Sequence, residues 1–215
     1  NQIQSGLLTN QGEDENTFLL QLEPPLNVTT QDIPERDFIF VIDVSGSMSA
    51  RLRSDSQKGV EIFVPDRPAM TRLELVKKQV INALDGLTDQ DFDLLVFSNG
   101  VTAWRADGNR GFDTREAALE SAKRFIGLQR PTGGTAIHAG LEAAFRVDGV
   151  EEIFLLSDGR PSAGITDPKK IARDVRRWSK QGGGVVLHCL AMGVANPLLE
   201  DLANETKGGT YVEIE

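Results

Sequence analysis

Small oxygen-bearing side chains stand at three separate points of this chain, each beside a predicted strand end or helix start. They are Asp43, Ser45 and Ser47 directly after the apolar run 38–42, Thr135 after a Gly-Gly pair, and Asp158 just after the apolar run 153–156. In an open parallel α/β sheet such points converge at one edge, where these folds bind ligands. Carboxylates and hydroxyls without His or Cys suit a hard divalent cation such as Mg²⁺, Mn²⁺ or Ca²⁺. The sequence therefore predicts one metal site built from these five side chains.

Each of these short motifs also has an ordinary explanation when it is taken alone. A Ser-Gly-Ser segment after a strand is commonly a turn or a helix cap, and Gly-Gly-Thr can simply cap a helix. Asp158-Gly159 is a frequent turn pair. Their joint occurrence, at element ends that a parallel sheet brings together, favours a metal site over three unrelated turns.

The segments between these motifs alternate mainly apolar runs with amphipathic helices. Strands are predicted at 38–42, 92–97, 153–156, 185–192 and 210–214, with an edge strand at 101–104. Helices are predicted near 73–84, 117–125, 137–145, 171–178 and 197–205. Strands joined through helices imply right-handed crossovers. The predicted fold class is α/β, with a doubly wound, mostly parallel central sheet flanked by helices and an antiparallel edge strand.

The motif order carries a family resemblance. The run Asp43-Val44-Ser45-Gly46-Ser47-Met48, followed by Thr135 and Asp158, resembles the metal-ion-dependent adhesion site of von Willebrand factor type A (VWA) domains. The resemblance runs from about Arg36 to the C-terminus, and it implies a Rossmann-like fold. Residues 17–25, leading into the first core strand, are similar to the lead-in of inter-alpha-trypsin inhibitor heavy chain-like proteins.

The resemblance implies a role for each site residue. Ser45 and Ser47 would bind the metal directly, and Thr135 would bind it directly or through water. Asp43 and Asp158 would act largely through water or by holding the serines. One position of the octahedral shell would remain for a carboxylate from a protein partner. The implied function is a metal-dependent adhesion or complex-assembly module, with Mg²⁺ as the expected cation and Mn²⁺ or Ca²⁺ as alternatives.

The sequence divides into a lead-in at 1–36 and a VWA domain at 37–215. Asn1 to Asn16 is polar without periodicity and predicts a loosely ordered start, whereas residues 17–22 predict one short strand. Residues 51–69 separate the Ser-Gly-Ser motif from the next helix, which departs from the usual family pattern. This insertion is either a recognition loop beside the metal or a solvated insertion without a role.

Composition restricts the classes of partner. The net charge of −9 disfavours nonspecific binding to nucleic acid or anionic membranes, and no apolar run reaches the roughly 18 residues of a membrane span. No signal peptide is visible, but the chain starts at Asn1, as a processed fragment would. The resemblance to inter-alpha-trypsin inhibitor heavy chain-like proteins, and not the composition, implies an extracellular or cell-envelope location, and a cytoplasmic one stays open. Cys189 is expected to be a buried thiol. His138, one helical turn after Thr135, is expected to be either a structural or partly exposed side chain or a residue at the rim of the site that contacts a ligand.

Two other classes of function are compatible with parts of the sequence. A structural VWA domain would use the ion only to stabilise its fold. A Mg²⁺-dependent hydrolase of the haloacid dehalogenase type would need a second acid two residues after Asp43, where Ser45 stands. A serine hydrolase or a nucleotide site would need G-x-S-x-G or a Gly-rich phosphate loop around the motif, and neither occurs there. The sequence therefore predicts a binding module and not an enzyme.

Overall fold

The computed structural model describes residues 4–11, 16–23, 37–52, 70–87, 91–105, 114–193 and 195–214. The strands are β1 (Gln4–Gln11), β2 (Asn16–Glu23), β3 (Asp37–Asp43), β4 (Phe92–Phe97), β5 (Val101–Ala103), β6 (Val150–Ser157), β7 (Val186–Met192) and β8 (Tyr211–Ile214). The helices are α1 (Arg72–Asp85), α2 (Arg115–Leu128), α3 (Ile137–Ala144), α4 (Pro168–Gln181) and α5 (Pro197–Asn204), with a short 3-10 turn at Gly46–Ser49.

The chain forms two compact units, Asn1–Glu35 and Arg36–Glu215. In the first unit β1 and β2 form an antiparallel hairpin, with Gln4 opposite Glu23 and Gln11 opposite Asn16. The strand β2 was expected, but the prediction of a loosely ordered start is wrong for Gln4–Gln11. A ladder uses main-chain groups that every residue except Pro carries in full, so a polar segment can form a strand. The predicted linker 27–36 lies outside the described residues.

The second unit is built on a six-stranded sheet in the order β5-β4-β3-β6-β7-β8. Its strands are parallel except for β5, which pairs antiparallel with β4 at the edge. This confirms the predicted α/β fold class and the antiparallel edge strand. The strands β3 and β6 are neighbours, while the chain leaves β3 towards β4 on its other side. The gap between β3 and β6 is therefore the point where strand order reverses, and ligands bind there in such sheets.

The helices are fixed by their caps and by one apolar face. Thr71 and Glu74 form a capping box at the start of α1, and Asp167 caps α4 with Pro168 in its first turn. The main core cluster joins buried residues of β3, β6 and β7 to α3, α4 and α5, among them Val41, Leu155 and Leu141. Fully burying such a side chain stabilises the fold by about 1.5–3 kcal/mol. This buried cluster holds in place the strands whose ends carry the candidate site residues.

Cys189 lies in this core and is fully buried, as predicted. Burial raises the pKa of its thiol far above the ordinary range, so the side chain is a packing residue and not a nucleophile. Within the described part of the chain, no helix is long and apolar enough to cross a membrane.

The insertion leaves and rejoins the domain at adjacent points. Arg51 and Thr71 form an antiparallel bridge, Leu52 N–H donates to Met70 O at 3.0 Å, and Arg72 N–H donates to Ala50 O at 2.9 Å. These bonds join the two ends of the insertion directly after the 3-10 turn. Residues 53–69, with most of the predicted insertion, lie outside the described residues.

Candidate metal centre

Asp43 is the last residue of β3, and its side chain is fully buried. Its Oδ1 accepts the Ser45 N–H at 2.7 Å and its Oδ2 accepts the Ser157 hydroxyl at 2.5 Å. Burial raises the pKa of Asp43 to about 6, and the Asp158 carboxylate adds to the rise, although hydrogen bonds from Ser157 and Ser45 lower it. Among the described residues, no cationic side chain pairs with Asp43.

Ser45, Ser47 and Asp158 form a continuous chain of oxygens beside it. The Ser45 and Ser47 hydroxyls are 3.0 Å apart, and the Ser47 hydroxyl donates to Asp158 Oδ1 at 2.8 Å. Ser45 and Asp158 are buried, whereas Ser47 is exposed. The 3-10 turn directly after Ser45 produces this arrangement, because it brings two hydroxyls separated by one glycine to the same side. The cluster therefore opens to solvent at Ser47.

Thr135 reaches the same cluster from the loop before α3. A Cβ placed on Gly159 would lie 3.2 Å from Thr135 Oγ1 and 3.6 Å from Ser47 Oγ. Both hydroxyls therefore flank Gly159, and the absence of a side chain there lets them approach. The Thr135 backbone is fixed by Ser162, whose hydroxyl accepts the Thr135 N–H at 2.9 Å and whose own N–H donates to Thr135 O at 3.0 Å.

Side-chain and main-chain bonds tie the three loops together. Gly46 N–H donates to Gly133 O at 3.0 Å, and Asn99 Oδ1 accepts the Gly134 N–H at 2.8 Å. The Asn196 side-chain amide donates to Gly159 O at 2.9 Å. The site is thus held by the turn after β4, the loop before α3 and the start of α5, as well as by the strands whose ends carry its carboxylates.

One cation of the protein itself enters the cluster. The Arg72 guanidinium, from the first turn of α1, donates through Nη1 to Asp158 Oδ2. The Asp158 side chain is fully buried, and that of Arg72 is 16% exposed. Sequence reasoning did not find this contact, because the two residues are 86 positions apart and no local pattern links them.

The oxygens of this cluster fit a hard divalent cation. In the described part of the chain, no group of three or more His, Cys, Asp and Glu is placed to hold a metal. Hydroxyls must therefore complete any site here, and Ser45, Ser47 and Thr135 supply three beside two carboxylates. Oxygen-only ligand sets suit Mg²⁺, Mn²⁺ and Ca²⁺. The structure brings all five predicted residues together, and Ser157, whose hydroxyl holds Asp43, is a further member that the sequence did not assign.

His138 does not line this cluster. Its Nε2 lies 3.0 Å from Asp174 Oδ2, and its ring lies 5.1 Å from the Trp178 ring. Because a carboxylate only accepts, Nε2 carries the proton. His138 is buried, so it is a structural residue that joins α3 to α4, as one of the two expectations had it. Its partner Asp174 was not foreseen, since an Asp inside a basic helix predicts a solvated side chain.

Comparison with known proteins identifies the family and the fold. A family model of the von Willebrand factor type A domain matches residues 60–212. Inter-alpha-trypsin inhibitor heavy chain H4 of Homo sapiens is 28% identical over 209 residues, covering 90% of this chain and 20% of that protein. The chain therefore spans about a fifth of the length of this curated relative.

Solved structures share the architecture at low sequence identity. A von Willebrand factor type A protein from Catenulispora acidiphila superposes with a TM-score of 0.60 at 23% identity, over 84% of this chain and 39% of that one. The manganese-loaded TRAP protein of Plasmodium vivax superposes with a TM-score of 0.55 at 14% identity, over 83% of this chain and 68% of that one. At these identities the superpositions establish the fold alone.

Proposed function

Because this chain belongs to the von Willebrand factor type A family, we propose that it is a protein-binding module that holds one divalent cation, Mg²⁺ first among the candidates. The observation that carries the proposal is the oxygen cluster, in which Ser45, Ser47 and Asp158 are linked by bonds of 3.0 and 2.8 Å beside the buried Asp43. Domains of this family are commonly protein-interaction modules with metal sites, and the cluster has the composition for one.

Each side chain has a distinct task in this proposal. The hydroxyls of Ser45, Ser47 and Thr135 would hold the cation, and the carboxylates of Asp43 and Asp158 would balance its charge. Ser157 and the Ser45 N–H fix the Asp43 carboxylate from two sides. When bound, the cation supplies a concentrated positive charge to which a carboxylate of a partner protein can bind. The exposed Ser47 marks the side from which the partner would approach.

The cluster's surroundings favour binding over catalysis. A hydrolase would need a base beside one of the serine hydroxyls. The two histidines of the chain are engaged elsewhere, His138 with Asp174 and His188 with Thr210. The bonded neighbours of the Ser47 hydroxyl are the Ser45 hydroxyl and Asp158, a carboxylate that is already engaged in an ion pair with the Arg72 guanidinium. The proposed role is therefore recognition through the ion, without turnover of the bound partner.

Calorimetric titration of EDTA-treated protein with Mg²⁺, Mn²⁺ and Ca²⁺ tests the ion site. We expect saturable one-to-one binding in the wild type and its loss in Asp43→Ala, with an unchanged circular dichroism spectrum because the core rests on the sheet and helices. Ser49→Ala is the matched control, since its exposed hydroxyl lies next to the site and donates to Gly46 O at 2.7 Å, without a bond to any of the five predicted ligand side chains. Unfolding of Asp43→Ala would favour an ion that only stabilises the fold, and absence of binding at millimolar metal would refute the proposal.

Water-proton relaxation with bound Mn²⁺ tests the partner's chemistry. A metal with an exchangeable position relaxes bulk water efficiently, and a ligand that fills this position lowers the effect. We expect a short peptide with a central Glu to lower the relaxation rate and its Gln counterpart to leave it unchanged. An equal response to both peptides would argue against recognition of a carboxylate.

A further inference from the structure

Arg72 reaches the candidate metal centre from the base of the insertion. Its backbone N–H donates to Ala50 O at 2.9 Å, within the short ladder that joins the insertion's two ends. Its guanidinium crosses to Asp158, the carboxylate that also accepts the Ser47 hydroxyl. One residue thus contacts both the closing point of the insertion and one of the two site carboxylates.

Little else among the described residues holds the guanidinium at this place. The Arg72 Nε is buried, and in the described structure it has no hydrogen-bond partner. A Cβ on Gly193 would lie 3.0 Å from this Nε and 3.3 Å from Leu52 Cδ2, so Arg72 and Leu52 pack directly on the bare backbone of Gly193. A buried N–H without an acceptor is unfavourable. The position of the side chain therefore depends mainly on its ion pair with Asp158.

The Arg72 guanidinium is paired with the negative charge of Asp158, which a divalent cation at this site would also use. The Asp158 side chain is fully buried, so its interaction with a nearby cation is weakly screened by solvent. A metal ion held at Ser45 and Ser47 and the Arg72 guanidinium would both be positive and both near the same carboxylate. The two cations repel each other, and each weakens the hold of the other on Asp158.

We infer that Arg72 is an internal cation that competes with the divalent metal for Asp158, so that metal occupancy and the position of Arg72 at the base of the insertion are coupled. This inference rests on the proposed metal site and adds its regulation. The competition sets the metal affinity lower than the oxygen cluster alone would give. It also links the ion to the short ladder between residues 50–52 and 70–72.

The test compares metal affinity and metal-free stability in the same variants. Arg72→Gln removes the charge, and we expect Mg²⁺ and Mn²⁺ to bind on the order of tenfold more tightly by calorimetry. In EDTA the same variant should melt at a lower temperature, because Asp158 has lost its counter-charge. These opposite effects distinguish competition from a merely structural role, which would lower both affinity and stability.

Two controls isolate the position of the charge. Arg72→Lys keeps the positive charge, and we expect its metal affinity to stay within about twofold of the wild type. Arg124→Gln makes the same change in net charge on the exposed face of α2, and its affinity should likewise be unchanged. An increase in affinity for Arg124→Gln equal to that of Arg72→Gln would overturn the inference, since the effect would then come from net charge.

The remaining outcomes separate this inference from the proposed function. Wild-type binding combined with equal or weaker binding by Arg72→Gln would overturn the competition and leave the metal site standing. Absence of binding in both proteins would refute the metal site itself. If Arg72→Gln does not fold, the Arg72 Nε–H signal of the wild type in nitrogen-15 NMR replaces it. A shift during Mg²⁺ titration supports the coupling, and an unmoved signal at saturation overturns it.

Discussion

Two buried carboxylates of this domain, Asp43 and Asp174, have pKa values shifted in opposite directions. At the sheet edge, Asp43 accepts hydrogen bonds from a hydroxyl and a main-chain amide, has no cationic partner among the described residues, and its pKa is raised by burial to about 6. Between α3 and α4, Asp174 is bonded by His138 and Lys170 at 3.0 Å and paired with Arg177 at 3.0 Å. These partners, His138 first, lower the pKa of Asp174 to about 2. Asp43 can accept a further positive charge, whereas Asp174 is already paired within the domain.

The difference in charge balance separates the proposed binding site from a structural one. A buried charge is tolerated when it is paired and hydrogen-bonded, and otherwise it is costly. Asp174 meets this condition within the domain, so it stabilises the contact between two helices. Asp43 meets it only in part, which is the expected state of a residue whose complement arrives from solution.

The largest expected effect comes from replacing the Asp174 carboxylate with an amide, and the same replacement at Asp43 is the comparison. In EDTA, Asp174→Asn should lower the free energy of unfolding by about 2–3 kcal/mol, because the single Asn carbonyl oxygen cannot accept from all three donors and the NH₂ group would face one of them. Asp43→Asn should change it by less than about 1 kcal/mol, because the Asn oxygen can still accept from Ser45 N and its NH₂ can donate to Ser157. Urea unfolding of both variants measures the contrast, and equal losses would contradict it.

The acid limb of stability should depend on Asp174. Since the pKa of Asp174 is about 2 in the folded protein and near 4 in an unfolded chain, the unfolded state binds more protons between these values. Stability should therefore fall by about 1–2 kcal/mol as the pH drops from about 4 to about 2, after allowance for solvent screening at the exposed Lys170 and Arg177. Asp174→Asn should flatten this limb in urea titrations, and an unchanged slope would exclude the assignment.

A smaller effect is expected from crowding the hydroxyls without changing any charge. Gly159→Ala would place a methyl group 3.2 Å from Thr135 Oγ1 and 3.6 Å from Ser47 Oγ. We expect metal affinity to fall by about fivefold, because the Thr135 hydroxyl must move by a few tenths of an ångström, whereas Ser47 Oγ would stay in ordinary van der Waals contact. Calorimetry against Gly100→Ala, where a Cβ meets nothing within 4 Å, provides the matched comparison. Equal affinities in the two variants would remove Thr135 from the ligand set.

The smallest effect is expected where a carboxylate is paired but exposed. Glu142 pairs with Arg146 at 2.6 Å, one helical turn apart, with side chains 35% and 75% exposed. Glu142→Gln should lower the free energy of unfolding by less than about 0.5 kcal/mol, because water screens such pairs. Chemical denaturation checks this value. A loss as large as that of Asp174→Asn would mean that pairing, and not burial, decides the contrast between the centres.

The sequence by itself determined the fold class and which side chains approach the sheet edge. Strong apolar runs at β3 and β6 set the strands, and their ends fixed where Asp43 and Asp158 emerge. Local signals of this kind suffice because the end of an apolar run in the sequence indicates where the buried strand ends. They failed at Gln4–Gln11, where a polar segment forms β1 through main-chain pairing that no side-chain pattern announces.

Only the tertiary structure decided the charge balance of the two centres. Arg72 meets Asp158 across 86 residues, and His138 meets Asp174 across 36. Burial is also a tertiary quantity, and it raises the pKa of Asp43 while three neighbours lower that of Asp174. Coulomb interactions and desolvation depend on distance and surroundings in space. The sequence could therefore name the oxygens of the candidate site, but not the cation that already touches one of them.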